Sequence, residues 1–96
     1  MSVVLVHEGP SFTRERYDEI VRRLAGRSRM ESVADWPVEG LLVHIASEGE
    51  RGFRVVDVWE SEDACRRFAE KLKPILEEVG VDEPARLYPP HAFVSA

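Results

Sequence analysis

Cysteine is nearly absent from this chain. The single Cys65 has no partner for an intramolecular disulfide, so packing alone must hold the fold. No apolar stretch is long enough to span a membrane, and none has the form of a signal peptide. Together these features predict a protein of a reducing, cytoplasmic compartment with no membrane partner. There is no glycine-rich phosphate loop and no dinucleotide fingerprint. No two histidines stand at a local metal-ligand spacing such as His-x-x-x-His, so neither metal nor cofactor is expected. The serines and Cys65 have no neighbouring base in the sequence, which leaves nucleophilic catalysis without support. Basic charge is in the minority: 13 Lys and Arg face 18 Asp and Glu, for a formal charge of -5. An acidic chain repels phosphate backbones, so nucleic-acid binding would need a local basic patch. The densest cationic runs are Arg22, Arg23, Arg27 and Arg29, then Arg66, Arg67, Lys71 and Lys73. Both are interleaved with acids at helical spacing, which suits solvated helix faces, and no nucleic-acid partner is expected.

What is present is a globular composition, 44% hydrophobic and 32% charged, over 96 residues. That length suits a single domain spanning residues 1 to 96, and burying about two-thirds of the unfolded surface suffices for a core. Ser2 to His7 is rich in valine and ends at Glu8-Gly9-Pro10, which predicts a strand followed by breakers. Ser11 or Thr13 then caps a helix whose Tyr17, Ile20, Val21 and Leu24 form one apolar stripe, with Gly26 as its stop. Residues 27 to 39 have no period but carry Met30, Val33, Trp36 and Pro37, too apolar a set for a free linker. A loop of this kind often covers something. Pro37 pushes Trp36 toward extended backbone, which restricts where the indole points.

Gly40 to Ala46 and Phe53 to Trp59 predict two strong strands joined across the polar segment Ser47 to Gly52 as a hairpin. Both are apolar at odd and even positions alike, so both faces of the sheet should be covered. Helices can cover one face; a second copy of the same sheet is the natural cover for the other. Ser61 opens a second helix with Glu62 and Asp63 in its first turn and Ala64, Cys65, Phe68 and Leu72 as its stripe. Pro74 is expected to interrupt it and to start a short new turn ending at Gly80. The last segment, Arg86 to Val94, reads as a strand bent at Pro89-Pro90, at an edge or crossing point. The order β-α-β-β-α-β predicts an α+β, ferredoxin-like domain, a four-stranded antiparallel sheet with two helices on one face.

Gly40-Leu-Leu-Val-His-Ile-Ala46, a polar turn, then Val55-Val-Asp-Val-Trp-Glu-Ser61 and a helix with Phe68 and Pro74 resemble the dimeric α/β-barrel superfamily. The chain is most similar to its antibiotic-biosynthesis-monooxygenase-like branch, whose acidic residue, aromatic and capped helix have counterparts here in Asp57, Trp59 and Ser61. The resemblance implies a homodimer in which two sheets pack into a barrel, each protomer keeping a pocket between its sheet and helices. Some members oxidise polycyclic phenols to quinones without metal or flavin, others degrade haem, and many have no assigned activity. The haem-degrading branch is disfavoured. It wants an asparagine on the first strand, a tryptophan on the second helix and a histidine farther along it. This chain has no asparagine, has Phe68 near the tryptophan's place and has no histidine between Ala46 and Pro90.

His44 and Asp57 are the candidate catalytic residues. His44 interrupts an apolar strand, where imidazole costs solvation unless it finds a partner or opens into a cavity. It reads either as a hydrogen-bonded structural residue or as a pocket base working near neutral pH. Asp57, inside a valine-rich strand, must be paired, solvated or protonated. A salt bridge to arginine at a subunit interface and a role in orienting His44 are both open. Whether the two share a face depends on hairpin register, which one extra residue reverses. Tyr17, Trp36, Trp59 and Phe68 are candidate walls of a pocket for a small apolar or aromatic ligand, or plain core. His91, after two prolines, is a further candidate to close a pocket or a subunit contact. His7 lies on a strand with no assigned task, and Cys65 reads as inert packing.

Two classes of function follow. In one, the protein is a cofactor-independent monooxygenase acting on an aromatic or polyketide-like substrate. His44 takes a phenolic proton, Asp57 orients it, and Trp59 and Tyr17 hold the ring while oxygen reacts in a dry pocket. In the other it is a non-catalytic dimeric module that binds a ligand or serves a structural role.

Overall fold

A computed structural model describes residues 1–96. Its elements are β1 (Val3–Gly9), α1 (Arg14–Ala25), β2 (Leu41–Gly49), β3 (Gly52–Trp59), α2 (Glu62–Val79) and β4 (Arg86–Tyr88). A single 3-10 turn, Val33–Asp35, stands between α1 and β2. The antiparallel sheet has the order β2-β3-β1-β4, and the fold is ferredoxin-like as expected.

Period-two alternation sorts the strands. In β1, Val3, Leu5 and His7 are buried beneath the helices, and in β3 Phe53, Val55, Asp57 and Trp59 do the same. The hairpin is tighter than the sequence suggested. Gly49 pairs with Gly52, so only Glu50 and Arg51 form the turn. Gly52 has φ 137°, a conformation that favours glycine, and it lies against the carbonyl of Gly9, where a side chain has no room.

Thr13 is the N-cap of α1, accepting from the Arg16 amide at 3.1 Å, and Gly26 closes the helix in the left-handed conformation. Ser61 caps α2 in the same way, and Gly80 ends it. Ile20 and Val21 from α1 meet Ala64, Cys65, Phe68 and Leu72 from α2 in one apolar cluster over the sheet.

Two expectations are corrected. Pro74 does not divide the second helix, which runs unbroken through it. The proline removes the bond that would reach the carbonyl of Glu70, but both residues are exposed, on the face of the helix open to water. Burial of the following Ile75, Leu76 and Val79 against the core keeps the last turns helical. The last strand is only Arg86–Tyr88, and Pro89 and Pro90 end it because neither can donate to a ladder. Residues 91 to 96 are exposed.

The second sheet face is bare within the chain. Val4, Val6, Val43, Val56 and Val58 are only half-buried there, and Ile45 and Tyr88 are 53% and 47% exposed. No helix of the protein is long and apolar enough to cross a membrane.

Candidate functional site

A bulge in β2 builds the site. Leu41 pairs with Trp59 and Val43 with Val58, leaving Leu42 as the extra residue. Without that insertion Leu41 and His44, three apart, would face opposite sides of the sheet. With it, Leu41 is buried in the core and His44 faces the same side, directly opposite Asp57.

The side chains of this pair bond: His44 Nδ1 lies 2.7 Å from an Asp57 carboxylate oxygen. Asp57 is 1% exposed and comes from the middle of the sheet, and its side-chain partner within the chain is His44. On the other side of the ring, His44 Nε2 lies 2.6 Å from the Tyr17 hydroxyl. Burial, together with the charge of Asp57, pushes the Tyr17 phenol up to about 12, so it stays protonated and donates. His44 then accepts at Nε2 and donates from Nδ1 to the carboxylate. The result is a directed chain, Tyr17 to His44 to Asp57, contributed by α1, β2 and β3.

This chain borders a cavity of about 30 Å3 between sheet and helices, room for about two water molecules. Leu5, Phe12, Ile20, Phe68 and Leu72 supply apolar wall, with His7, Tyr17, His44 and Asp57 as the titratable lining. Trp36 closes one side. The 3-10 turn before it is closed by local bonds: Ser32 accepts from the Ala34 amide at 3.2 Å, while the Asp35 carboxylate accepts from the Ser32 and Glu31 amides and pairs with Arg27. Trp36 follows in extended backbone and is buried, edge-on to His44 and stacked 5.7 Å from Phe68. Its indole Nε1 is buried without a partner in the chain.

The residues singled out in the sequence divide cleanly. Tyr17, Trp36, His44, Asp57 and Phe68 meet at the cavity. Trp59 does not line it; the ring is fully buried behind Phe68, at 4.9 Å between centroids. His91 is exposed on the terminal segment and does not line it either. Tyr17 is more than a wall, because its hydroxyl caps the base. His7 was missed as a site residue, although a histidine in a valine-rich strand is the signal that singled out His44. It is 3% exposed and its Nε2 donates to the Glu83 carbonyl at 2.7 Å. Cys65 is 1% exposed and its thiol is pushed up to about 11 by burial, as an inert core residue should be. No three His, Cys, Asp or Glu side chains converge in a way that could hold a metal ion.

No family model and no curated protein matches the sequence. Solved structures do match in shape. SnoaB, a cofactor-independent oxygenase from Streptomyces nogalater, aligns with a TM-score of 0.60 and 14% identity over 99% of this chain and 98% of its own. An asparagine-to-alanine variant of SnoaB gives the same values. A monooxygenase from the gene ActVA-Orf6 of Streptomyces coelicolor, in complex with nanaomycin D, aligns with a TM-score of 0.49 and 22% identity. That match covers 99% of this chain and 91% of the other. At such identities the shared property is the fold alone, and it is the ferredoxin-like fold described above.

Proposed function

We propose that the protein is a cofactor-independent oxygenase of a small polycyclic phenol, with Tyr17, His44 and Asp57 as its proton-accepting chain. The observation that carries this reading is the chain itself: two short hydrogen bonds running from an apolar cavity to a buried carboxylate. A phenol in the cavity donates to the Tyr17 oxygen, Tyr17 passes its own proton to His44 Nε2, and Asp57 stabilises the imidazolium. The electron-rich phenolate then reacts with dioxygen. One oxygen atom forms a bond to a ring carbon, the O–O bond breaks, and the other atom leaves as water. Phenol and dioxygen give quinone and water, a four-electron oxidation balanced by the four-electron reduction of oxygen. The substrate is therefore its own reductant.

A polycyclic substrate exceeds a cavity of about 30 Å3, so binding requires a wall to move. The Trp36 segment is suited to this, since it belongs to no strand or long helix and its contacts at the cavity are aromatic faces. The bare sheet face supports a homodimer by sheet-on-sheet packing, which would cover Val56, Ile45 and their neighbours.

Oxygen uptake and quinone absorbance, followed on a panel of polycyclic phenols without added metal or flavin, test the reading. Turnover lost in His44→Ala with the fold retained supports it. Binding without turnover in the unaltered protein replaces it with a non-catalytic ligand-binding module.

A further inference from the structure

Of the residues that line the cavity, all but Phe12 and Trp36 stand on a helix or a strand. Phe12 is tied to the sheet through its backbone. Its amide donates to the Gly9 carbonyl at 3.1 Å, and its carbonyl accepts from the Phe53 amide at 3.0 Å. Trp36 has no such tie. The hydrogen bonds of residues 27 to 39 run within that segment, among Arg27, Glu31, Ser32, Ala34 and Asp35 and from the Trp36 amide to the Val33 carbonyl. Met30, Trp36 and Val38 join the segment to the core by apolar packing. Moving the Trp36 ring therefore breaks packing but no hydrogen bond to the body, and it gains one. The indole Nε1 is buried without a partner and meets water when the ring swings out. The ring also has somewhere to go. Trp36 borders a second, outer groove of about 330 Å3, whose Val33, Ala34, Pro37, Val38 and Leu41 are apolar.

We propose that the Trp36 indole occupies the place of the ligand's ring, as an intramolecular plug of the site. The inference rests on the reading of the cavity as an aromatic-ligand site and says which volume the ligand takes. A space of about 30 Å3 holds no aromatic ring. The slot against Phe68 and His44 already holds a fused one. The indole lies over Phe68 at 5.7 Å between centroids with 21° between planes, and edge-on to His44 at 5.3 Å. A ligand ring in that slot inherits both contacts and lies beside the imidazole that the Tyr17 hydroxyl bonds. A plug and a wall differ in the sign of their effect. A wall adds contacts to the bound ligand, so truncating it weakens binding. A plug competes with the ligand, and apparent affinity falls with the fraction of molecules in which the plug is out. Truncating it tightens binding.

The test measures Kd for 2-naphthol by isothermal titration calorimetry in the unaltered protein and in Trp36→Ala. The variant should bind about ten-fold more tightly or better, the result of removing a plug that is out in a tenth of the molecules or fewer. Free indole should compete with 2-naphthol for the variant, since it fits the vacated slot. A second measurement needs no substitution. The chain has two tryptophans, and both indole N–H groups are buried. On saturation of the unaltered protein with 2-naphthol, the Trp36 indole N–H signal should shift and exchange with deuterated water faster, while that of Trp59 stays protected. Weaker binding in Trp36→Ala, or a Trp36 N–H that stays protected with 2-naphthol bound, overturns the plug while leaving the aromatic site standing. If Trp36→Ala does not fold, the exchange measurement decides alone. If 2-naphthol binds neither protein, the site reading falls and this inference falls with it.

Discussion

His44 and Asp57 are direct cross-strand partners, and their side chains meet at 2.7 Å on the helix-covered face of the sheet. The relationship depends on a single inserted residue, Leu42, which lets Leu41 and His44 share that face. A buried carboxylate and a histidine placed this way are each other's compensation for lost water, and in the proposed reaction the pair is the inner end of the proton path.

Asp57→Asn keeps the shape of this pair and removes its charge. The imidazolium formed during turnover loses its stabilising partner, so kcat should fall by about 100-fold or more. Asp57→Ala leaves His44 Nδ1 unpartnered in the core, and stability should drop by about 1–3 kcal/mol. Steady-state oxygen uptake measures the first effect and urea denaturation the second. An asparagine variant with unaltered kcat would sink the proton path.

Tyr17→Phe removes the link between cavity and base while keeping the ring that packs on Phe12 and Phe53. Stability should change by no more than about 1 kcal/mol, and turnover should fall. The phenol itself is raised to about 12. Ultraviolet titration of the unaltered protein should therefore show one tyrosine absorption change that is missing from Tyr17→Phe only at the alkaline end, near pH 12.

His7 makes stability depend on pH. Burial lowers its pKa from 6.5 in the folded state, so below that value the unfolded chain binds the extra proton more readily. The stabilisation is present above about pH 6.5 and is lost as pH falls toward the folded-state value. Urea midpoints should decline through this window, with a shallower decline in His7→Gln. Equal slopes in the two proteins would show that other groups set the dependence.

The bare sheet face yields a prediction about assembly. Charging it with Ile45→Glu and Val56→Glu should convert a dimer to monomers, read by sedimentation velocity, without loss of helical circular dichroism. A wild-type protein that sediments as a monomer at tens of micromolar would exclude the sheet-on-sheet pairing.

Much of the fold was legible because its signals are local. A cap at Ser11 or Thr13 and another at Ser61, Gly26 and Gly80 as stops, and the apolar stripes of both helices need only neighbouring residues to be read, and the structure chose Thr13. Pro74 and the last strand were misread for the opposite reason. A proline inside a helix is decided by whether the freed carbonyl meets water and whether the following residues are buried, and both are properties of the packed chain. Trp59 and Phe68 looked alike in sequence, yet Phe68 faces the cavity and Trp59 lies behind it.

The amino-acid sequence by itself determined the element order, the ferredoxin-like class, and the presence of imidazole and carboxylate in strands too apolar to ignore them. Period and capping act over a few residues, so they survive in one dimension. Only the tertiary structure decided that His44 faces Asp57, that Tyr17 closes the chain between them and the cavity, that Trp36 forms a wall, and that Glu83 holds His7 in one tautomer. Each depends on register or on residues many positions apart, and a period-two strand reverses every side chain when its register moves by one.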